Sequence, residues 1–354
     1  KAAGYDVIVA SGQLSAGMPD EYNGIKVISY DERLHENLPR LLKHALYFSA
    51  GKKAVEWLKK LDKKPTAIVI YSGYSPCLLR VLGWARKNHV KVIFDAVEWY
   101  DSPSLLSSIL SPYYINIEFA MRFLIKKCDG VIAISKYLKN YYESSVGNII
   151  KVPPTVDCNG IVPRFFIDNE DSISVVYAGT PGTKDSLSII VEAVLVVAAT
   201  GKKIKFHIAG INSNQLISFL PKKDYKISDL NEIIICYGIL DHSSTLDLVK
   251  KSDYSIIIRP DIRSVQAGFP TKFVESMAVG TPVIANITSD LGKYLEDHSN
   301  GFICSDSSLE TLIDTLNHCF EVTNQIEMRT KARSTAERYF DYSVYSDSFK
   351  KLLS

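Results

Sequence analysis

Short runs of β-branched and aromatic residues, bounded by Gly, Pro, Asp, Asn or Ser, recur along the chain, and between them apolar positions fall at helical spacing. The pattern predicts strands at 6–10, 26–29, 67–71, 90–95 and 130–134, then at 173–178, 205–209, 233–236, 254–258 and 282–284. Helices are predicted between them, among them 51–61, 186–199 and 309–320. In 52–64 Val55, Leu58 and Leu61 keep core spacing while the lysines fall elsewhere, as on an amphipathic helix with a solvated basic face. Strands alternating with helices imply parallel sheets covered on both faces, so the fold class is α/β, and two such series imply two domains with a cleft between them. No repeat or low-complexity tract interrupts the alternation.

Gly268 to Ala285, reading GFPTKFVESMAVGTPVIA, carries chemistry beyond this pattern. Gly268 and Pro270 are loop residues and Thr271 is an N-cap candidate; Lys272, Phe273, Val274 and Glu275 begin a helix that continues through Met277 and stops at Gly280. Val283 to Ala285 read as a buried strand. The free N–H groups and positive dipole end of such a helix suit a diphosphate, with Lys272 adding a mobile positive charge and Glu275 placed to accept hydrogen bonds from ribose hydroxyls. The same local pattern occurs in α/β proteins without a nucleotide, where a first-turn Glu serves the helix dipole alone.

The stretch resembles the signature of the retaining GT-B glycosyltransferases of group 1, the family 4-like superfamily, where a Gly-Phe-Gly turn leads to a helix carrying Glu, then Met-Ala and Gly-x-Pro-Val-Ile-Ala. The resemblance covers nearly the whole chain in the family's order. Lys1 to Ala10 (KAAGYDVIVA) looks like the end of the first helix and the second strand, and Asp129 to Ser135 (DGVIAIS) like the strand that closes the first domain. Lys151 to Asp157 (KVPPTVD) takes the place of the interdomain Val-Pro-Asn-Gly-Val-Asp, with Pro154 and Thr155 departing from it. Val176 to Asp185 (VYAGTPGTKD) resembles the Gly-rich turn that opens the second domain, and Cys236 to Leu240 (CYGIL) the later loop near the base. Phe340 to Leu353 resembles the terminal helix. The resemblance implies two Rossmann-like domains, 1–156 on the acceptor side and 157–338 binding the nucleotide sugar, with 339–354 returning to the first. The family's first strand and Gly-rich loop would precede Lys1, so a longer N-terminus, by about 25 residues, is expected.

Apolar residues make up 46% and charged residues 23% of the 354, an ordinary globular balance with room for two cores. No apolar run reaches the length of a bilayer span, no signal-peptide pattern opens the chain, and Cys77, Cys128, Cys158, Cys236, Cys304 and Cys319 are dispersed without CxxC spacing. A reduced cytoplasmic enzyme without zinc or disulfides is the simple inference. The net charge of +2 hides an asymmetry, because residues 1–156 hold 21 Lys and Arg against 14 Asp and Glu. A basic first half suits an anionic membrane surface or a lipid-diphosphate acceptor. Tyr113 to Lys127 (YYINIEFAMRFLIKK), aromatic-rich and closed by two lysines, reads either as a core helix or as a membrane-facing one. No nucleic-acid partner is expected.

Breaking the bond between a sugar and its nucleoside diphosphate builds negative charge on the departing phosphate. By resemblance, Lys184 meets that charge from the turn Gly179-Thr180-Pro181-Gly182-Thr183-Lys184-Asp185, with Gly182 allowing close backbone approach. Lys272 and the helix opening at Phe273 and Val274 clamp the other side, and the loop of Gly268, Phe269 and Thr271 lines the donor. Gly238 and Ile239 meet the base through their backbone; Arg259 and Arg263 reach phosphate or sugar, or lie on the surface. The chain has no Asp-x-Asp, which weighs against a Mg²⁺-dependent route. No cofactor is expected, and the donor expected is a UDP-sugar.

Three further features depart from the family. Ala267 stands where the first of two glutamates eight apart touches the sugar, leaving that contact to Gln266 or the loop backbone, and Thr180 replaces the usual Arg. In the first domain the usual His is absent and the strand end reads Phe94-Asp95-Ala96-Val97-Glu98. Glu98, with Asp95 second, is therefore assigned to accept a proton from the acceptor hydroxyl or to position it, loop solvation being the alternative. His207 reads as a core residue and His242 as part of a helix-opening turn, neither as catalytic. Together these imply a metal-independent retaining glycosyltransferase acting on a glycan or lipid-linked acceptor in cell-surface polysaccharide synthesis, cytoplasmic and peripheral at the inner face of the membrane. The rivals are a non-catalytic subunit that activates a partner glycosyltransferase and a sugar-nucleotide epimerase of the same fold.

Overall fold

The computed structural model describes residues 1–12, 19–32, 39, 46–71, 74–102, 111–165, 172–221 and 230–354. They divide into two units, Lys1–Val152 with Tyr345–Ser354, and Pro153–Val344.

In the first unit β1 (Ile8–Ser11), β2 (Glu21–Tyr22) and β3 (Ile25–Ser29) form one sheet in the order β1-β3-β2. Strands β4 (Ala67–Tyr71), β5 (Lys91–Ala96), β6 (Gly130–Ala133) and β7 (Ile149–Lys151) form another, parallel throughout. β1 and β3 are parallel, but β2 and β3 are antiparallel, a hairpin where only crossover units were predicted. Its turn is Asn23-Gly24, at φ 49° and 70°, the pair whose left-handed backbone matches the twist of a two-residue hairpin. Lys1–Gly4 form a turn closed by Gly4 N–H to Lys1 C=O at 2.7 Å rather than the end of a helix. Helices α1 (Lys52–Lys59), α2 (Ser75–Asn88), α3 (Pro112–Phe119) and α4 (Lys136–Glu143) lie between the strands. The basic helix α1 buries Ala54 and Leu58 and keeps its lysines outside. The terminal helix Ser346–Leu353 buries Leu352 against Ile93 and Ile132. A Cβ at Gly130 would lie 2.8 Å from Leu352 and 2.9 Å from Ile93, so glycine is what admits that helix.

The second unit carries one six-stranded parallel sheet: β8 (Ile173–Ala178), β9 (Ile204–Ala209), β10 (Ile234–Cys236), β11 (Tyr254–Ile257), β12 (Val283–Asn286) and β13 (Gly301–Cys304), in the order β10-β9-β8-β11-β12-β13. β11 and β12 are buried at every residue, as continuous apolar strands of a doubly covered sheet must be. Helix α5 (Leu187–Ala199) is apolar almost all round and packs Ile190, Val194 and Val197 with Phe206 and Ile208 of β9 and Leu312 and Leu316 of the helix Leu309–Cys319. Each such side chain contributes about 1.5–3 kcal/mol by leaving water. Helices α6 (Ser213–Leu216), α7 (His242–Lys251), α8 (Arg263–Ala267), α9 (Thr271–Ala278), α10 (Leu309–Cys319) and α11 (Gln325–Tyr339) complete the unit.

Helix α11 secures the end of α9. Arg333 donates to Ala278 C=O at 2.6 Å and to Ile161 C=O at 3.0 Å. Arg329, fully buried, donates to the carbonyls of Gly280 and Arg164 at 3.4 Å and to that of Ser252. Carbonyls left over at a helix C-terminus are thus met by cations, the favourable pole for that end.

Candidate functional site

The strand order reverses between β8 and β11, so their connections leave on opposite sides and open a crevice at the C-terminal ends of the strands, where ligands of doubly wound sheets sit. Three glycines bring the backbone together there. Gly179, Gly210 and Gly238 follow β8, β9 and β10 at φ 128°, 119° and 69°. A Cβ on Gly210 would meet Gly179 O at 2.3 Å, and one on Gly179 would meet Lys272 Cε at 2.7 Å.

Asp185, in the loop after β8, ties the crevice together. Its Oδ1 accepts from Arg259 Nε at 3.1 Å, and its Oδ2 from Lys272 Nζ at 2.9 Å and Tyr177 Oη at 2.7 Å. Lys272 Nζ also lies 3.9 Å from the centre of the Tyr177 ring, a cation–π contact. Side-chain exposure is 8% for Asp185, 11% for Arg259 and 17% for Lys272. Burial pushes the Asp185 carboxyl up, but Lys272 and Arg259 outweigh it and hold it below the ordinary carboxylate range. Burial draws the Lys272 ammonium down against the pull of Asp185. Two cations on one carboxylate leave the cluster positive, which favours an anion. Lys272 is therefore held on two sides, not the mobile charge expected, and Arg259 is a buried member of the cluster rather than a surface residue.

Helix α9 opens with Pro270 in the cap position (φ −74°, ψ 111°) and Thr271 as its first helical residue; the capping hydrogen bond expected of Thr271 is not made. Pro270 takes the extended geometry of a cap without a side-chain acceptor. Glu275, one turn on, is 31% exposed and its Oε1 lies 2.9 Å from His242 Nε2, the first residue of α7. Phe269 and Phe273 are buried in an aromatic cluster with Tyr294 and Phe340, and Val274 is buried as well; the N–H of Phe273 donates to Pro270 C=O at 3.1 Å. Gly268 C=O accepts from Ser289 Oγ at 2.5 Å.

The remaining expected residues fall less centrally. Gly182 is exposed, with open space around it, so the close approach expected of it belongs to Gly179 and Gly210. Lys184 is half-buried in the same turn. The N–H of Gly238 donates to Ile211 C=O at 2.9 Å and its C=O accepts from Gly210 N–H at 2.7 Å, which commits the backbone expected to meet a base. Ile239 is 88% exposed. Arg263 is the first residue of α8. Ala267 is fully buried, and Gln266 bridges Asp261 Oδ1 at 2.7 Å and Ser289 N–H at 2.8 Å, which engages the amide expected at the sugar.

In the first unit Asp95 and Glu98 stand at the C-terminal end of β5 with tyrosines about them. Tyr100 hydrogen-bonds Glu98, and Tyr71 and Tyr113 lie within electrostatic reach of it. Burial pushes the Asp95 carboxyl up to about 6. Because the folded value lies above the ordinary one, ionising Asp95 costs stability, fully above about pH 6 and not at all below the ordinary carboxylate range. Asp95→Asn is expected to stabilise the fold by about 1–2 kcal/mol near pH 8 and by almost nothing near pH 4, read from urea midpoints. An equal gain at both pH values would remove the desolvation account.

Asp185, Tyr177 and His242 are the site residues that sequence reasoning left without a role. Asp185 follows Lys184 directly in the loop after β8, but its charged partners Arg259, just past β11, and Lys272, on α9, are distant in sequence. Among the described residues no three His, Cys, Asp or Glu side chains gather as metal ligands, and no helix is long and apolar enough to cross a membrane. All six cysteines are free thiols.

Residues 164–339 match the model of the family described as glycosyl transferases group 1, and residues 1–161 that of glycosyltransferase family 4. No curated protein matches the chain. Among solved structures, sucrose-phosphate synthase from Thermosynechococcus elongatus is similar at a TM-score of 0.71 and 15% identity, covering 99% of this chain and 89% of that one. A glycosyltransferase from Rickettsia africae is similar at a TM-score of 0.67 and 14% identity, covering 98% and 89%. Anabaena HepE, solved with UDP and glucose, is similar at 0.61 and 15%, covering 93% and 86%. The two family models account for both halves of the chain, on a fold shared with these proteins, and the chain therefore belongs to the group 1 glycosyltransferases of the GT-B fold.

Proposed function

We propose that this glycosyltransferase moves a sugar from a UDP-sugar to a glycan or lipid-linked acceptor, with retention at the anomeric carbon and without a metal ion, in the synthesis of a cell-surface polysaccharide. The observation that carries the donor reading is the positive cluster of Lys272, Arg259 and Asp185 at the switch point of the second sheet. Charge that develops on a leaving diphosphate is stabilised by preorganised cations in a poorly solvated site, and Asp185 removes the cost of orienting two of them. Lys184 and the opening of α9 are assigned to the same phosphates. Glu275, steadied by His242, accepts from the ribose hydroxyls. On the acceptor side Glu98, with Asp95 as the second candidate, positions the attacking hydroxyl. Retention follows from the family resemblance, and the leaving phosphate itself takes the acceptor proton on the same face of the sugar. Anabaena HepE, bound to UDP, favours uridine as the base. Six unpaired thiols suit a reducing, cytoplasmic setting.

Calorimetric titration with UDP, GDP and ADP, each with and without EDTA, tests the reading. One nucleotide is expected to bind irrespective of EDTA, and Glu275→Ala to weaken it by about 1–3 kcal/mol, the scale of hydrogen bonds to a charged group. Absence of binding by all three would sink the assignment and favour a non-catalytic partner subunit, and binding indifferent to Glu275→Ala would remove the role given to Glu275.

A further inference from the structure

Four tyrosines gather where β4 and β5 end in the first unit, about the two carboxylates assigned to the acceptor. Tyr71 closes β4 and is the partner of Asp95 in the sheet register. Tyr100 hydrogen-bonds Glu98, and Tyr71 and Tyr113 lie within electrostatic reach of the same carboxylate. Tyr113, in the first turn of α3, is also within reach of Tyr74, which takes the cap position of α2. The exposures are 68% for Tyr71, 44% for Tyr74, 43% for Tyr100 and 40% for Tyr113. Two of these rings are steadied by a second one: Tyr74 meets the half-buried Tyr47 edge-on with ring centres 5.2 Å apart, and Tyr113 meets Tyr114 edge-on at 5.2 Å. Single exposed aromatic residues are ordinary on a protein surface, whereas four around one pair of carboxylates at the C-terminal ends of parallel strands mark a ligand face.

The chemistry of these groups selects the ligand. A phenol offers an apolar ring face and, at its rim, a hydroxyl that donates and accepts. A pyranose is built in the same way, with C–H groups on a face and hydroxyls around the edge, so it stacks on the ring and hydrogen-bonds at the rim. Carboxylates beside it accept from sugar hydroxyls in charge-assisted hydrogen bonds. The same carboxylates repel a phosphate or a uronate. Burial pushes the Asp95 carboxyl up, and among the described residues no Lys or Arg draws it back down.

We infer that Tyr71, Tyr74, Tyr100 and Tyr113 form a platform for an uncharged pyranose, with Glu98 and Asp95 accepting from its hydroxyls, so that the group receiving the transferred sugar is a hydroxyl of a neutral sugar unit and not of a phosphate-bearing or acidic one. Naming this pyranose the acceptor rests on the proposed function; the platform itself does not.

Saturation-transfer NMR of the full chain, with and without UDP, is the test, using the methyl glycosides of glucose, galactose, mannose, N-acetylglucosamine and fucose beside methyl glucuronoside and glycerol 3-phosphate. At least one neutral glycoside is expected to bind, about tenfold or more tighter than either anion. Tyr71→Ala/Tyr113→Ala is expected to weaken it about tenfold, and Tyr71→Phe/Tyr113→Phe, which keeps the rings, by no more than about threefold. An unchanged urea midpoint in the alanine variant separates a lost platform from a lost fold. Glycoside binding without UDP binding would keep the inference and remove the donor reading. No binding by any neutral glycoside, equal or tighter binding of an anion, or glycoside binding indifferent to the alanine substitutions would overturn the inference, and UDP binding in the same samples would leave the donor reading standing.

Discussion

Lys272→Met is expected to slow sugar transfer by about 10²-fold or more while leaving the fold close to its normal stability. Methionine keeps most of the buried stem that crosses Gly179 and covers the Tyr177 ring, and Asp185 retains Arg259 and the Tyr177 hydroxyl as partners. What disappears is one of the two charges in the crevice. If that charge meets a leaving diphosphate, the loss falls mainly on kcat and on kcat/KM for the donor, because the interaction strengthens as phosphate charge develops. Initial rates of nucleotide release at varied donor, beside a urea melt, distinguish the roles. A lowered urea midpoint with unchanged rates would make Lys272 a structural counter-ion of Asp185.

Arg329→Met is expected to cost about 3 kcal/mol of stability, a larger effect on folding than any substitution in the crevice. The guanidinium is fully buried and serves the carbonyls of Arg164, Ser252 and Gly280, with Asp253 Oδ1 at 4.0 Å. Without it three carbonyls lose a charged donor, and Asp253 keeps only Ser174, whose N–H and hydroxyl both donate to it at 2.7 Å. Gly280 ends the segment that follows α9, so nucleotide affinity is expected to weaken as well. A denaturant midpoint within error of the parent protein would show that the apolar volume of the methionine suffices there.

The alternation of strands and helices was legible because each central strand is a short apolar run between turn residues, and burial on both faces demands that composition. Ala67–Tyr71 and Ile173–Ala178 appear with the predicted bounds. β7 and β13 were missed; each is only three or four residues long, and β13 begins with glycine. The Asn23-Gly24 hairpin was missed although its turn pair is a strong local signal, because the strand before it has two residues. The π turn at Ala120–Leu124 has no counterpart in apolar periodicity.

The sequence by itself determined the α/β class, the membership of the chain in its family and the stretch from Gly268 to Ala285 that opens on the crevice. These rest on composition and on neighbours a few residues apart, which a linear reading sees. The tertiary structure alone decided that Asp185 pairs with Arg259, 74 residues away, and with Lys272, 87 away, and that His242 meets Glu275, 33 away. Those contacts depend on β8 lying beside β11 in the sheet. Strand order follows from how apolar faces pack across the whole unit, and no local spacing encodes it.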